Sequence, residues 1–208
     1  VQTCALPISH SPTPKQSVFL NLAHREALFG GAAGGGKSAC LMMAALQYAH
    51  VPRYRAIIFR KSFSDLVLPG ALIDVSHQWL TKTGAKWKAK EHYWEFDSGA
   101  TVGFGYLDAI TDIYRYQSAE FSFIGFDELT QFDERQYRYL FSRLRRPSCP
   151  KHRANPQEKC RLCREYGPIQ QVPLRMRSAT NPGGEGHDWV KARFVDGGNT
   201  PDRVFIPS

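Results

Sequence analysis

The chain has 208 residues, 42% hydrophobic and 22% charged, enough for one sizeable core with room for an insertion and too apolar for a disordered segment. Its net charge is +8, and residues 143–164 hold eight Lys/Arg against one acid, Glu158, so nearly all of the excess is local. That concentration points to a polyanion contact, the plain alternative being a solvated basic face. No run approaches the ~18 apolar residues of a membrane span, so no membrane partner is expected.

The opening VQTCALPI reads as the translation of a common short-read sequencing adaptor, and residues 1–9, Cys4 among them, are set aside. Residues 10–26 are expected to form an N-terminal arm. Residues 27–29 read as a short strand entering a Gly-rich turn, and 38–48 as a helix with Leu41, Ala44, Ala45 and Tyr48 at helical spacing. A buried strand follows at Arg55–Arg60, then a mostly helical stretch over 65–80 in spite of Pro69 and Gly70. Residues 93–96 and Thr101–Tyr106, separated by Asp97, Ser98 and Gly99, form a hairpin pattern. A strand over 121–126, a helix over 134–144 and a strand over 174–179 complete the series before the turn Asn181, Pro182, Gly183, Gly184. Strands alternating with helices predict an α/β fold with a mostly parallel central sheet over 27–208. The last residues, RVFIPS, form a strand-like run with no closing element, so further sequence is expected beyond it.

Gly31 to Ser38 fits G-x4-G-K-S, the phosphate-binding loop of P-loop NTPases. Gly31, Gly34, Gly35 and Gly36 would turn backbone N–H groups onto phosphate oxygens, Lys37 would add charge at the β/γ phosphates of ATP, and Ser38 a ligand for Mg2+. The apolar run ending in Asp127 and Glu128 supplies the complement: Asp127 for the metal, Glu128 to deprotonate the attacking water. Cys149, His152, Cys160 and Cys163 follow C-x2-H-x7-C-x2-C, the ligand set of a closed structural Zn2+ site in an insertion over about 147–168; thiols without a ligation role are the alternative. Cys40, alone on the helix after the phosphate loop, is expected to be buried.

Taken in order, SPTPKQ, LFGGAAGGGKS, IIFRKSFSDL, YQSAEFSFIGFDELTQF, SRLRR and MRSATNPGG resemble the ATPase half of tailed-phage terminase large subunits. The resemblance implies an additional-strand, RecA/helicase-like P-loop fold and a motor that drives double-stranded DNA into procapsids. It assigns Gln16 to the adenine edge, and Thr180 and Asn181 to a coupling motif that senses the γ-phosphate. Arg60 would face DNA or nucleotide. A ring motor needs an arginine acting in trans; Arg115 is favoured over Arg143, Arg145 and Arg146. The implied partners are the portal protein of the procapsid, the small terminase subunit and further copies in a homo-oligomeric ring, in the cytoplasm of an infected host. Family members continue into an RNase H-like nuclease domain, which is expected to lie in sequence beyond Ser208. Two other readings remain: another P-loop helicase or translocase, and a zinc-stabilised nucleic-acid-binding module on a degenerate P-loop scaffold. Intact Lys37, Ser38, Asp127 and Glu128 argue against the second.

Overall fold

The computed structural model describes residues 10–31, 34, 36–149 and 163–208, with 164 and 165 described for the backbone alone. Among them, eight strands form one sheet in the order β3-β4-β5-β2-β6-β7-β1-β8. The strands are β1 (Glu26–Gly30), β2 (Arg55–Arg60), β3 (Lys86–Lys88), β4 (Tyr93–Glu95), β5 (Thr101–Tyr106), β6 (Phe123–Asp127), β7 (Arg175–Thr180) and β8 (Arg203–Pro207). Strands β5, β2, β6, β7, β1 and β8 run parallel, and β4 and β3 add an antiparallel edge. This is the mostly parallel α/β architecture expected from the alternation of patterns.

Strands β1, β6 and β7 are buried along their whole length, because helices cover both faces of the sheet. Helices α2 (Lys37–Leu46) and α4 (Leu72–Leu80) close one face, where Leu41, Met42, Ile58, Leu80 and Val102 pack in one cluster. Helix α5 (Glu134–Phe141) and α7 (His187–Lys191) close the other, with Ile57, Phe59, Phe126, Tyr137 and Val190. Neighbouring β2 residues thus serve opposite cores, as the two-residue period of a strand demands. Glu26 is buried on β1, held by two 2.9 Å hydrogen bonds from Arg193 and one from the Tyr137 hydroxyl.

Several expected boundaries shift for local reasons. The helix predicted over 65–80 is two, α3 (Ser64–Val67) and α4, because Pro69 lacks an N–H and Gly70 turns the chain at φ 77°. The helix predicted over 134–144 ends at Phe141, and Leu144 instead bridges to Phe121, so β6 begins two residues later than the apolar run. The arm contains a helix: α1 (Pro14–Asn21) is opened by a reciprocal cap in which Thr13 Oγ1 accepts from Gln16 N and Gln16 Oε1 accepts from Thr13 N. Helix α6 (Cys163–Gln171), with Pro168 inside it, begins within the stretch expected as an insertion and runs past it, and the apolar pattern did not mark it as helical. The closing strand-like run is β8, paired parallel to β1.

Candidate active site

The parallel register brings the candidate residues to one end of the sheet. Gly30 pairs with Thr180, Asp127 with Ala179, and Phe59 with Phe126, so the chain leaves β1, β7, β6 and β2 side by side at their carboxyl ends. In open parallel sheets this is where ligands bind. The candidate phosphate loop leaves β1 here and enters α2 through Gly36, whose φ of 64° is left-handed and whose Cβ, were there one, would stand 2.7 Å from Gln16 Nε2. Lys37, 7% exposed, directs Nζ to the Gly31 carbonyl at 3.5 Å. Gly35, with Ala32 and Ala33, lies outside the described residues.

Ser38 and Asp127 meet directly: the Ser38 hydroxyl donates to Asp127 Oδ1 at 3.0 Å. Arg60 Nη2 stands 2.6 Å from Oδ2 of the same carboxylate, an ion pair without hydrogen-bond angles. Asp127 is 1% exposed, and burial holds its carboxyl above the usual range against the pull of Arg60 and the Ser38 hydroxyl. One hydroxyl beside one carboxylate is the hard-oxygen donor set that suits Mg2+.

Glu128 follows in a left-handed conformation, φ 57°, which turns its side chain towards the end of β7. There Asn181 Nδ2 donates to Glu128 Oε1 at 3.1 Å and Asn181 N donates to Oε2 at 3.3 Å. Thr180 Oγ1 lies 2.8 Å from Thr130 Oγ1 and accepts from Thr130 N at 3.2 Å. The turn beyond depends on Gly184, with φ 94° and no room for a Cβ, which would stand 2.8 Å from the Thr130 carbonyl oxygen. Thr130 is a site residue that the sequence pattern missed; its only signal was its place three residues after Asp127.

Gln16 is 2% exposed, and its Nε2 donates to the Gly36 carbonyl at 2.9 Å. It is therefore an anchored group, unlike an exposed arm residue. With His10, Thr13, Phe29, Gly34 and Gly36 it lines a cavity of about 440 Å³ beside the phosphate loop.

Arg115 stands apart from this cluster. It is ion-paired with Asp112 at 2.9 Å, lies 4.9 Å from the Tyr106 ring centre, and borders a different cavity with Tyr106 and Tyr116. Arg143, Arg145 and Arg146 donate to the carbonyls of Gln117, Ser142 and Val172. Of the four zinc candidates, Cys149 is buried and Cys163 half-buried, whereas His152 and Cys160 lie outside the described residues. Among the described residues no group of three or more His, Cys, Asp or Glu side chains is arranged to hold a metal ion, and no helix is long and apolar enough to cross a membrane.

None of the curated proteins matches the chain. Among solved structures, the large terminase of a thermophilic bacteriophage superposes with a TM-score of 0.62 at 11% identity, covering 95% of this chain and 46% of that one. The chain thus spans about half the length of that terminase. A mutant ATPase domain of the Thermus phage P74-26 large terminase gives 0.61 at 10% identity, covering 97% of this chain and 82% of that one. At these identities the likeness is one of fold. Residues 28–147, more than half of the chain, match the family described as "Terminase large subunit, T4likevirus-type, N-terminal", and the chain belongs to that family.

Proposed function

We propose that the chain is the ATP-hydrolysing motor domain of a phage terminase large subunit, which drives double-stranded DNA into procapsids. The observation that carries this reading is the convergence, at the carboxyl ends of β1, β6 and β7, of Lys37, the Ser38–Asp127 pair and a Glu128 carboxylate held by Asn181. The strand order supports it: β7 lies between β1 and β6, the extra strand that separates phosphate loop from acidic strand in additional-strand P-loop ATPases.

In this mechanism Lys37 and the loop N–H groups bind the triphosphate, and Gln16 reads the adenine edge in its cavity. Ser38 and Asp127 would hold Mg2+, which when bound neutralises charge on the β and γ phosphates. Glu128 orients a water for attack on the γ-phosphorus and takes its proton as the bond to the β-phosphate oxygen breaks, leaving ADP and phosphate. Asn181 and Thr180 report the loss of the γ-phosphate, since both touch the segment that carries Glu128. Arg115, remote from its own phosphate loop, supplies positive charge to the site of a neighbouring copy in a ring. Cys149, His152, Cys160 and Cys163, the spacing of a structural zinc site, would hold Zn2+, which when bound would cross-link the basic insertion for contact with DNA or a neighbouring subunit. The portal, the small subunit and the host cytoplasm follow from the same reading.

DNA-stimulated ATP turnover by the full-length protein is the test. Lys37→Ala should abolish ATP binding, whereas Glu128→Gln should keep binding and lose hydrolysis; a Glu128→Gln protein with the wild-type rate would remove Glu128 as the base.

A further inference from the structure

Arg60 ends β2 one step beyond the last β2–β6 pair, Phe59 with Phe126, so the register sets it level with Asp127. Its Nη2 stands 2.6 Å from Asp127 Oδ2, while the Ser38 hydroxyl occupies Oδ1 at 3.0 Å. The hydroxyl and carboxylate assigned above to Mg2+ are therefore bonded to each other, and the remaining carboxylate oxygen faces a guanidinium. The Arg60 side chain is 20% exposed, and its Nε is buried without a hydrogen-bond partner. It is thus not locked by a two-pronged fork, the arrangement in which arginine holds a carboxylate most firmly. A metal cation arriving at Asp127 would meet like charge a few ångströms away in a poorly solvated site, where repulsion is weakly screened. Arginine and metal therefore compete for one carboxylate.

We propose that Arg60 is a stand-in cation for the metal: a positioning residue that keeps the Asp127 carboxyl group aimed while the site lacks nucleotide and gives way when metal and triphosphate enter together. The triphosphate makes the exchange favourable because its negative charge replaces the carboxylate as a partner for the arginine and draws the metal in. Removing Asp127 from water with no counter-ion would be strongly unfavourable, which explains why a cation is held there at all. The inference rests on Ser38 and Asp127 being the metal ligands.

The experiment measures Mn2+ binding to the full chain by the loss of the free-ion paramagnetic resonance signal, with and without a non-hydrolysable ATP analogue. Wild type should bind Mn2+ at least tenfold more tightly with the analogue. Arg60→Gln should raise nucleotide-free Mn2+ affinity at least tenfold, and Arg60→Lys, which keeps the charge, should stay near wild type. Equal nucleotide-free affinities for Arg60→Gln and wild type would overturn the stand-in role. Should Arg60→Gln be unstable, its melting temperature becomes the readout: millimolar Mg2+ without nucleotide should raise it more than it raises wild type, and no greater rise counts against the proposal. Should Ser38→Ala and Asp127→Asn leave Mn2+ binding with the analogue unchanged, the ligand assignment falls and the stand-in with it, a result distinct from failure of Arg60→Gln alone.

Discussion

Asn181 holds both carboxylate oxygens of Glu128, one through its side-chain amide and one through its backbone N–H. Two hydrogen bonds from one residue fix the plane of the carboxylate, and a base must be aimed at its water before its proton affinity matters. Because the same residue directly follows β7, which pairs with β1, a movement of that strand end would be passed to Glu128. Asn181→Ala should lower kcat by about 10²-fold with a much smaller change in ATP affinity. Steady-state hydrolysis alongside fluorescent-ATP binding checks this; parallel losses in both would make Asn181 a ground-state contact instead.

Arg115 is half exposed and borders a cavity away from the phosphate loop, so a catalytic role requires a second copy. Arg115→Ala should reduce assembled turnover by roughly 10³-fold, the scale of an arginine finger. Mixing Arg115→Ala with Glu128→Gln should restore activity, because a Glu128→Gln subunit keeps its arginine and can serve a neighbour with an intact base. No recovery at any mixing ratio would leave Arg115 as the partner of Asp112.

Cys40 is fully buried on α2, and burial pushes its thiol from 9.0 up to about 12. The folded protein keeps the proton where the unfolded chain would lose it, so this contribution to stability is complete below pH 9 and is lost as pH rises towards about 12. Alkylation near pH 8 should spare Cys40 until the protein unfolds. Cys149, Cys160 and Cys163 should be protected by bound zinc and become reactive on chelation, while ATP binding persists. Peptide mass mapping after pulse alkylation, with elemental analysis for one Zn2+ per chain, reads both; reactivity unchanged by chelator together with zinc-free protein would count against the metal site.

Glu26 joins the first strand of the sheet to the helical segment beyond α7 through Arg193, and Tyr137 ties the same carboxylate to α5. The Tyr137 phenol is held well above its usual range by burial and by that carboxylate, so it remains a donor throughout the working pH range. Glu26→Gln leaves Arg193 and the Tyr137 hydroxyl with a neutral partner and should destabilise the fold by about 3 kcal/mol. Urea unfolding should show an earlier midpoint with an unchanged slope; a midpoint equal to that of wild type would mean that solvent replaces the pair.

What could be read from the sequence is what local chemistry decides. A run of glycines before Lys37 and Ser38 has few uses other than a tight anion-binding turn, and Ile57, Ile58, Phe59 or Phe123, Ile124, Phe126 are too apolar to be anything but buried. Alternation of such runs with helical spacing leads to a parallel sheet, and the order of motifs leads to the family. Boundaries were less legible, because a single Pro69–Gly70 break or a Phe121–Leu144 bridge moves an element's end without changing its hydrophobic pattern. Pairings across the sheet are of another kind: Ser38 and Asp127 are 89 residues apart and Glu128 and Asn181 are 53 apart. They meet only because β7 lies between β1 and β6 in one register, and a shift of that register would part them. The same cause makes Arg60 the neighbour of Asp127: the sequence shows an arginine after a strand, and only the alignment of β2 with β6 gives it a carboxylate to hold.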